Sequence, residues 1–151
     1  MSSNIQVSWE DFYKAQRALV SKVQDSGKAY EYVVTIPSGG LMPAYCLSKA
    51  LNLPVVTINI KTYVEQGKSG KVRHTHIEGF GDTVEQQDKA LIVDDMYDSG
   101  QTIKYLQELY PQADTAVTYA RHADNTATYV GEVLDHATWL DFPWEVGCGD
   151  A

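Results

Sequence analysis

Positive charge is scarce in this chain of 151 residues: 12 Lys and Arg stand against 20 Asp and Glu, a formal net charge of −8. A surface that grips nucleic acid must neutralise phosphates with clustered cations, so this balance argues against a nucleic-acid partner. Cysteine is scarcer still. Cys46 and Cys148 have no metal-type spacing, and two thiols make no disulfide framework. No apolar stretch approaches the ~20 residues of a membrane-spanning helix. The first residues also lack a secretory-signal pattern. Neither a membrane protein nor a disulfide-built secreted domain is expected, and the cytosol is the expected compartment. An acidic chain that handles an anionic ligand must gather cations, or a metal ion, at one place.

What is present suits one soluble α/β domain. The content is 44% hydrophobic and 21% charged, ordinary for a globular protein whose length can bury a real core. Ser8-Trp9-Glu10-Asp11 reads as a capping box, with Asp in the usual Glu position, opening a helix through about Val23. Its apolar members Phe12, Ala15, Leu19 and Val23 recur at helical spacing. Residues 32–36 form a short β-branched run, followed by Pro37-Ser38-Gly39-Gly40 and then a helical stretch over residues 42–51. Residues 55–60, 90–93 and 115–119 read as strands, and 100–109 as a helix. Strands alternating with helices predict a mainly parallel sheet flanked by helices. Residues 61–88 are polar with little regular patterning, although 72–77 could form one strand of a hairpin. A connection of that length is usually a lid or an unrecognised element.

The chemistry concentrates in Ala90-Leu-Ile-Val-Asp94-Asp95-Met-Tyr-Asp98-Ser99-Gly100-Gln101-Thr102. An apolar strand ends on two adjacent carboxylates, a third follows, and a Ser-Gly-x-Thr turn opens a helix. Open α/β sheets bind ligands at such strand ends. Hydroxyls and backbone N–H groups at a helix start make a phosphate cradle. Paired acids suit ribose hydroxyls or a hydrated Mg²⁺. Sugar, phosphate and metal in one segment point to a phosphorylated ribose.

This segment resembles the signature of type I phosphoribosyltransferases, which use phosphoribosyl pyrophosphate (PRPP). The resemblance implies the fold of that family: a central, mainly parallel sheet with flanking helices and a small C-terminal hood, in a single domain over residues 1–151. It implies a lid over the PRPP site at about 61–88, where Thr62-Tyr63 matches a Ser-Tyr of the family, and a base-binding hood at about 121–151. Asp94, Asp95, Asp98, Ser99, Gly100, Gln101 and Thr102 would bind PRPP, with Asp94 and Asp95 taking the ribose hydroxyls directly or through Mg²⁺. Ser38, Gly39, Gly40 and Lys68 would meet pyrophosphate, Lys71 and Arg73 adding charge to the lid. In purine members the carboxylate equivalent to Asp98 lies near N7 of the base, which makes Asp98 the expected catalytic proton partner.

The residues Thr138-Trp139-Leu140-Asp141-Phe142-Pro143-Trp144-Glu145 resemble the base-binding segment of bacterial xanthine-guanine phosphoribosyltransferases. By that resemblance Trp139 stacks on the purine, the Leu140 backbone and Glu145 face its 2-position, and Arg121 faces its 6-oxo group. The similarity spans nearly the whole chain and is weakest between Lys61 and Asp88. Three positions depart from the family: Ser38 stands for an arginine, Arg121 for a lysine, and Gln101 for a glycine. The expected activity is Mg²⁺-dependent transfer of 5-phosphoribose to guanine, xanthine or hypoxanthine in purine salvage, by a homodimer or homotetramer. The alternatives are a PRPP-sensing regulatory protein that transfers nothing, and a phosphoribosyltransferase for another base. Gly67-Lys68-Ser69 is no P-loop, because Thr62 stands where the first glycine belongs. His74 and His76 have no partner spacing that completes a zinc site.

Overall fold

The structure, a computed structural model, describes residues 5–36, 39–67, 70–78, 88–98, 100–134 and 140–145, with 59–67 and 70–78 described by their backbone. The elements in chain order are β1 (Ile5–Gln6), α1 (Trp9–Asp25), β2 (Tyr32–Thr35), α2 (Leu41–Leu51), β3 (Val55–Thr57), β4 (Asn59–Gly67), β5 (Gly70–Glu78), β6 (Ala90–Tyr97), α3 (Gln101–Leu109), β7 (Asp114–Ala120), β8 (Tyr129–Val133) and β9 (Leu140–Asp141). Five strands form one sheet in the order β3-β2-β6-β7-β8, and every neighbouring pair is parallel. This is the predicted α/β architecture.

Alternation along the strands divides the core into two layers. Val33, Leu91 and Val93 pack with Leu19 and Val23 of α1 and Ala44 and Leu47 of α2. Val34 and Ile92 pack on the other face with Leu106 of α3 and Tyr110. β6 sits between them, and Ala90, Leu91, Ile92 and Val93 are all 0% exposed. The Leu, Ile and Val side chains each contribute about 1.5–3 kcal/mol by leaving water, so the acids that follow stand on a firmly held strand. α1 begins as the sequence predicts, with Ser8 Oγ accepting from the Asp11 N–H at 3.0 Å and Asp11 accepting from the Ser8 N–H at 3.3 Å.

Three elements differ from expectation. The strand predicted at 55–60 ends at Thr57, and a second begins at Asn59. That second strand pairs antiparallel with β5 in continuous register from Asn59↔Glu78 to Gly67↔Gly70, so the hairpin strand expected at 72–77 is present as part of β5 and its partner, β4, is the element the sequence did not show. Lys, Glu and Gln interrupt the β-branched residues of β4, which hides the alternation a half-buried strand displays. Gly67 closes β4, which agrees with dismissing the P-loop reading of Gly67-Lys68-Ser69. Third, β6 runs to Tyr97, carried past the expected end by pairing of Asp94 with Val117, Met96 with Tyr119 and Tyr97 with Ala120. Short strands missed in the sequence are β1, β8 and β9; β1 pairs with β9 through Ile5↔Leu140 and Gln6↔Asp141. That pairing fastens the C-terminal segment to the start of the chain, and Trp144 packs on Phe12 at 5.0 Å and stacks on Phe142 at 4.7 Å. No helix among the described residues is long and apolar enough to cross a membrane.

At the amino ends of the strands a polar knot ties β7 and β8 to the segment before β2. The Tyr30 hydroxyl donates to Asp114, and lies 2.7 Å from the Tyr129 hydroxyl, while Lys28 Nζ reaches Asp114 at 2.8 Å. Burial, and then the hydrogen bonds to Asp114 and Tyr129, push the Tyr30 phenol well above its ordinary value. A phenol raised in the folded state adds stability that is intact below the unfolded value of about 10 and is lost as pH rises through the folded value. Tyr30→Phe is therefore expected to lower stability at neutral pH by about 1 kcal/mol. It should then lose less than the parent between about pH 9 and 11. Urea titrations across that range test this, and parallel alkaline declines in the two proteins would exonerate Tyr30.

Candidate active site at the switch point of the sheet

The chain leaves β2 for β3 on one side and leaves β6 for β7 and β8 on the other. β2 and β6 are adjacent, so the connections diverge between them and open a crevice at their carboxyl ends, the place where open α/β sheets bind ligands. The Gly39-Gly40 turn closes down on this crevice. A Cβ on Gly39 would lie 2.8 Å from Asp95 Oδ2, and one on Gly40 would lie 2.8 Å from the Val93 carbonyl oxygen. At Gly40 a side chain would collide with the backbone at the end of β6, and at Gly39 it would displace the Asp95 carboxylate.

The crevice continues along β6 into the loop before α3. Gly100 adopts φ +81°, and its Cα lies so close to the Tyr97 ring that a side chain has no room. The ring is itself anchored: the Tyr97 hydroxyl lies 3.1 Å from Thr126 Oγ1, which donates to Gln107 Oε1 at 2.9 Å. Met96, Tyr97, Asp98, Gly100, Gln101, Thr102 and Ile103 line a pocket of about 80 Å³ at the helix start. α2 and α3 both begin on glycine, with no capping side chain and no acid in the first turn. α1, away from the crevice, has a filled N-cap and two acids in its first turn. Open helix N-termini leave N–H groups and positive dipole ends for an anion.

A second pocket of about 180 Å³ adjoins the first, lined by Asp95, Met96, Asp98, Arg121, Leu140, Phe142 and Glu145. Met96 and Asp98 belong to both pockets. Arg121 follows β7, is 7% exposed, and holds its Nε 2.7 Å from Asp98 Oδ1. The backbone N–H of Asp95 donates to Asp94 Oδ1 at 2.8 Å. Burial and then the Asp95 charge push the Asp94 carboxyl well above its usual range. Burial also raises Asp95, against hydrogen bonds from Asp94 and the backbone that pull it down. Glu145 is raised by burial and by Asp95 and Asp141. Among the described residues, the crevice thus gathers Asp94, Asp95, Asp98 and Glu145 around Arg121, a surplus of negative charge that favours a bound cation.

Of the residues singled out in the sequence, Asp95, Asp98, Arg121, Leu140 and Glu145 share the larger pocket, and Asp98, Gly100, Gln101 and Thr102 share the smaller. Gly39 touches Asp95, and Asp94 precedes it on the strand. Ser38, Lys68, Ser99 and Trp139 lie outside the described residues, and Lys71 and Arg73 are placed only by the backbone of β5. Sequence reasoning missed Met96, Phe142 and Tyr97. Met96 and Phe142 carry no polar signal, although both fall inside the quoted motifs. Tyr97 acts from beneath the loop, and its partners Gln107 and Thr126 are ten or more residues away.

A parallel α/β sheet with an open helix start, an acid pair and two adjoining pockets at its switch point defines a ligand-binding crevice suited to an anion. Residues 7–150 match the family described as phosphoribosyl transferase domain. A xanthine-guanine phosphoribosyltransferase of Cereibacter sphaeroides is 36% identical over 148 residues, covering 93% of this chain and 86% of that one. One of Nitratidesulfovibrio vulgaris is 35% identical, covering 92% and 83%. The purine phosphoribosyltransferase of Pyrococcus horikoshii superposes with a TM-score of 0.73 at 26% identity, over 94% of this chain and 93% of that chain. A hypothetical protein from Neisseria gonorrhoeae with bound ppGpp shares the fold, with a TM-score of 0.81 at 20% identity over 98% and 92%. The chain belongs to the phosphoribosyltransferase family.

Two consequences are measurable. Gly100→Ala forces a side chain into a left-handed conformation, at a cost of about 1–2 kcal/mol, and into the Tyr97 ring. It should lower the melting temperature and weaken PRPP binding by about tenfold, the equivalent of about 1.4 kcal/mol; parental affinity by calorimetry would sink the role of the turn. The acid pair has the opposite sign. A carboxyl raised in the folded state contributes stability that is present below its unfolded value and lost as pH rises through the folded one. Asp95→Asn should therefore raise the urea midpoint at about pH 7.5, the advantage shrinking towards about pH 4. An unchanged or lower midpoint at neutral pH would mean that the pair carries no repulsive strain.

Proposed function

We propose that this protein transfers 5-phosphoribose from PRPP to a 6-oxopurine, guanine, xanthine or hypoxanthine, giving the nucleoside monophosphate and pyrophosphate. The observation that carries this reading is the junction of the two pockets at Met96 and Asp98. A sugar held by its phosphate at the start of α3 then has its reacting carbon beside the pocket for the base. Holding both partners in line converts a bimolecular attack into a local one. The curated relatives named xanthine-guanine phosphoribosyltransferase support the purine assignment.

In this mechanism the N–H groups and hydroxyl at Gly100, Gln101 and Thr102 bind the 5-phosphate, with Ser99 completing the loop. Asp94 and Asp95 hold the ribose hydroxyls, and the backbone at Ser38, Gly39 and Gly40 receives pyrophosphate together with Lys68. N9 of the base forms a bond to C1 of the ribose as the bond from C1 to pyrophosphate breaks, its electron pair leaving on the pyrophosphate oxygen. The proton on N7 passes to Asp98, whose position between the pockets suits a general base. Leu140 and Glu145 face the 2-position, Phe142 lends an apolar wall, and Trp139 is assigned the stacking face.

The acids present fit Mg²⁺. Asp94 and Asp95 are adjacent carboxylates raised by burial, and among the described residues no three ligating side chains form a closed metal cluster. Mg²⁺ is typically held by one or two carboxylates plus substrate oxygens. Bound there, it would neutralise charge developing on the departing pyrophosphate. A cytoplasmic salvage enzyme that works as a homodimer or homotetramer is the setting that goes with this reading.

Incubation with PRPP, Mg²⁺ and each of guanine, xanthine, hypoxanthine, adenine and uracil should yield pyrophosphate and nucleotide with one or more 6-oxopurines. EDTA should abolish turnover. Asp98→Asn should lower kcat by about 10²–10⁴, the usual contribution of a positioned proton acceptor, with PRPP affinity little changed. Tight PRPP binding without turnover on any base would replace this reading with a sensor.

A further inference from the structure

Thr35, Thr115 and Thr118 are each 0% exposed within the sheet. Thr115 Oγ1 accepts from the Thr128 N–H at 3.0 Å, and Thr118 Oγ1 donates to Gln16 Oε1 at 2.8 Å. Thr35 Oγ1 is different: it has no hydrogen-bond partner among the described residues. Buried hydroxyls are normally paired, because an unpaired one loses its bonds to water and regains none. Thr35 ends β2, on the face that Val33 turns towards α2. Its hydroxyl lies directly beneath Gly40, where a Cβ would run into Oγ1. The Gly40 N–H donates to the Ile36 carbonyl at 3.3 Å, a long bond that spends this amide inside the turn.

We propose that Thr35 is a positioning residue for pyrophosphate: its hydroxyl donates to the Gly39 carbonyl when the Gly40 amide is turned to the anion. This inference rests on the purine-transfer reading above. A trans peptide is planar and carries its N–H and C=O on opposite edges. Turning one N–H up to a ligand therefore turns one carbonyl down, and the floor beneath Gly40 is the Thr35 hydroxyl. Glycine on both sides of that peptide lets it turn without moving a Cβ. The O–H rotates to suit its partner, so β2 need not shift. The uncapped start of α2 adds the positive end of its dipole on the same anion. A valine has the same branched shape and leaves no polar group unpaired. The unliganded fold is therefore better served by valine, and the ligand-bound turn by threonine.

Calorimetry with pyrophosphate, PRPP and ribose 5-phosphate, each with Mg²⁺, reads this role beside the melting temperature of the unliganded protein. Thr35→Val should raise the melting temperature by about 2–4 °C. It should weaken pyrophosphate and PRPP by about tenfold, and ribose 5-phosphate by less than about twofold. Thr35→Ser keeps the hydroxyl and loses a methyl, so it should do the reverse. Its melting temperature falls through the small cavity left behind, while pyrophosphate affinity stays close to that of the parent. A purely structural effect would move stability and all three ligands in one direction. Parental pyrophosphate affinity in Thr35→Val overturns the role, as does an equal weakening of ribose 5-phosphate. Loss of pyrophosphate affinity in Thr35→Ser assigns the effect to the methyl and also overturns it. Should Thr35→Val fail to fold, Thr35→Ala takes its place against Thr35→Ser, and equal pyrophosphate affinities in those two overturn the role. These results leave phosphoribosyl transfer standing, whereas a parent that binds neither PRPP nor pyrophosphate and turns over no 6-oxopurine overturns both conclusions.

Discussion

The contact on which the site depends is the closure of the Gly39-Gly40 turn onto the end of β6. The backbone at Gly40 comes so near β6 that a Cβ there would meet the Val93 carbonyl oxygen, and a Cβ on Gly39 would meet the Asp95 carboxylate. Parallel strands joined through helices diverge at one point of such a sheet, and the divergence leaves a gap between β2 and β6. Without glycine the gap would fill with side chains. With it, the acids of β6 and the turn after β2 line the same slot, the place where open α/β sheets bind ligands. The depth of Ala90 to Val93 in the core makes one wall of that slot rigid.

Helix termini show the same division between structure and site. α1 satisfies its own start through Ser8 and Asp11 and packs Phe12, Ala15, Leu19 and Val23 inward. α2 and α3 start on glycines with no acid in the first turn, and both starts border the slot. A side-chain cap typically contributes about 1 kcal/mol, so two helices forgo a stabilisation that the third takes. The forgone partners are N–H groups, which an anion can take up. The acid pair follows this logic more sharply: burial raises Asp94 and Asp95 against their charge, a strain that a cation or ribose hydroxyls would relieve.

The parts that local chemistry specifies were legible in the sequence. The capping box, the apolar run into Asp94 and Asp95, and the Asp98-to-Thr102 turn each carry their instruction within a few residues. So does the parallel alternation of strands and helices, and the structure brings Asp95, Asp98, Arg121, Leu140 and Glu145 to one pocket. What was not legible depends on distant partners. β1 and β9 are two-residue strands that exist by pairing with each other. The extension of β6 to Tyr97 comes from β7, and the role of Tyr97 comes from Gln107 and Thr126. Of the ribbon, part of β5 was legible at 72–77, whereas the sequence of β4 carries no clear period-two pattern.

Of the departures from the family pattern, only Ser38 changes fixed charge. By the resemblance, Ser38 stands for an arginine in the pyrophosphate turn, while Arg121 stands for a lysine and leaves the charge at the base pocket unchanged. The larger pocket brings Asp95, Asp98 and Glu145 around Arg121, which sits 2.7 Å from Asp98, and Asp94 precedes Asp95 on β6. Under a substrate that carries several negative charges, such a site works only if cations arrive with the ligand or with the ribbon that bears Lys71 and Arg73. Bound Mg²⁺ supplies charge without a side chain, and two carboxylates that repel each other are well suited to retain it. An arginine that stays charged at every working pH can in turn hold Asp98 while the neighbouring acids and the metal change occupancy. On the proposed reading, the loss at position 38 leaves the leaving group to cations that arrive with the ligand, while the fixed charge at position 121 stays where the family has it.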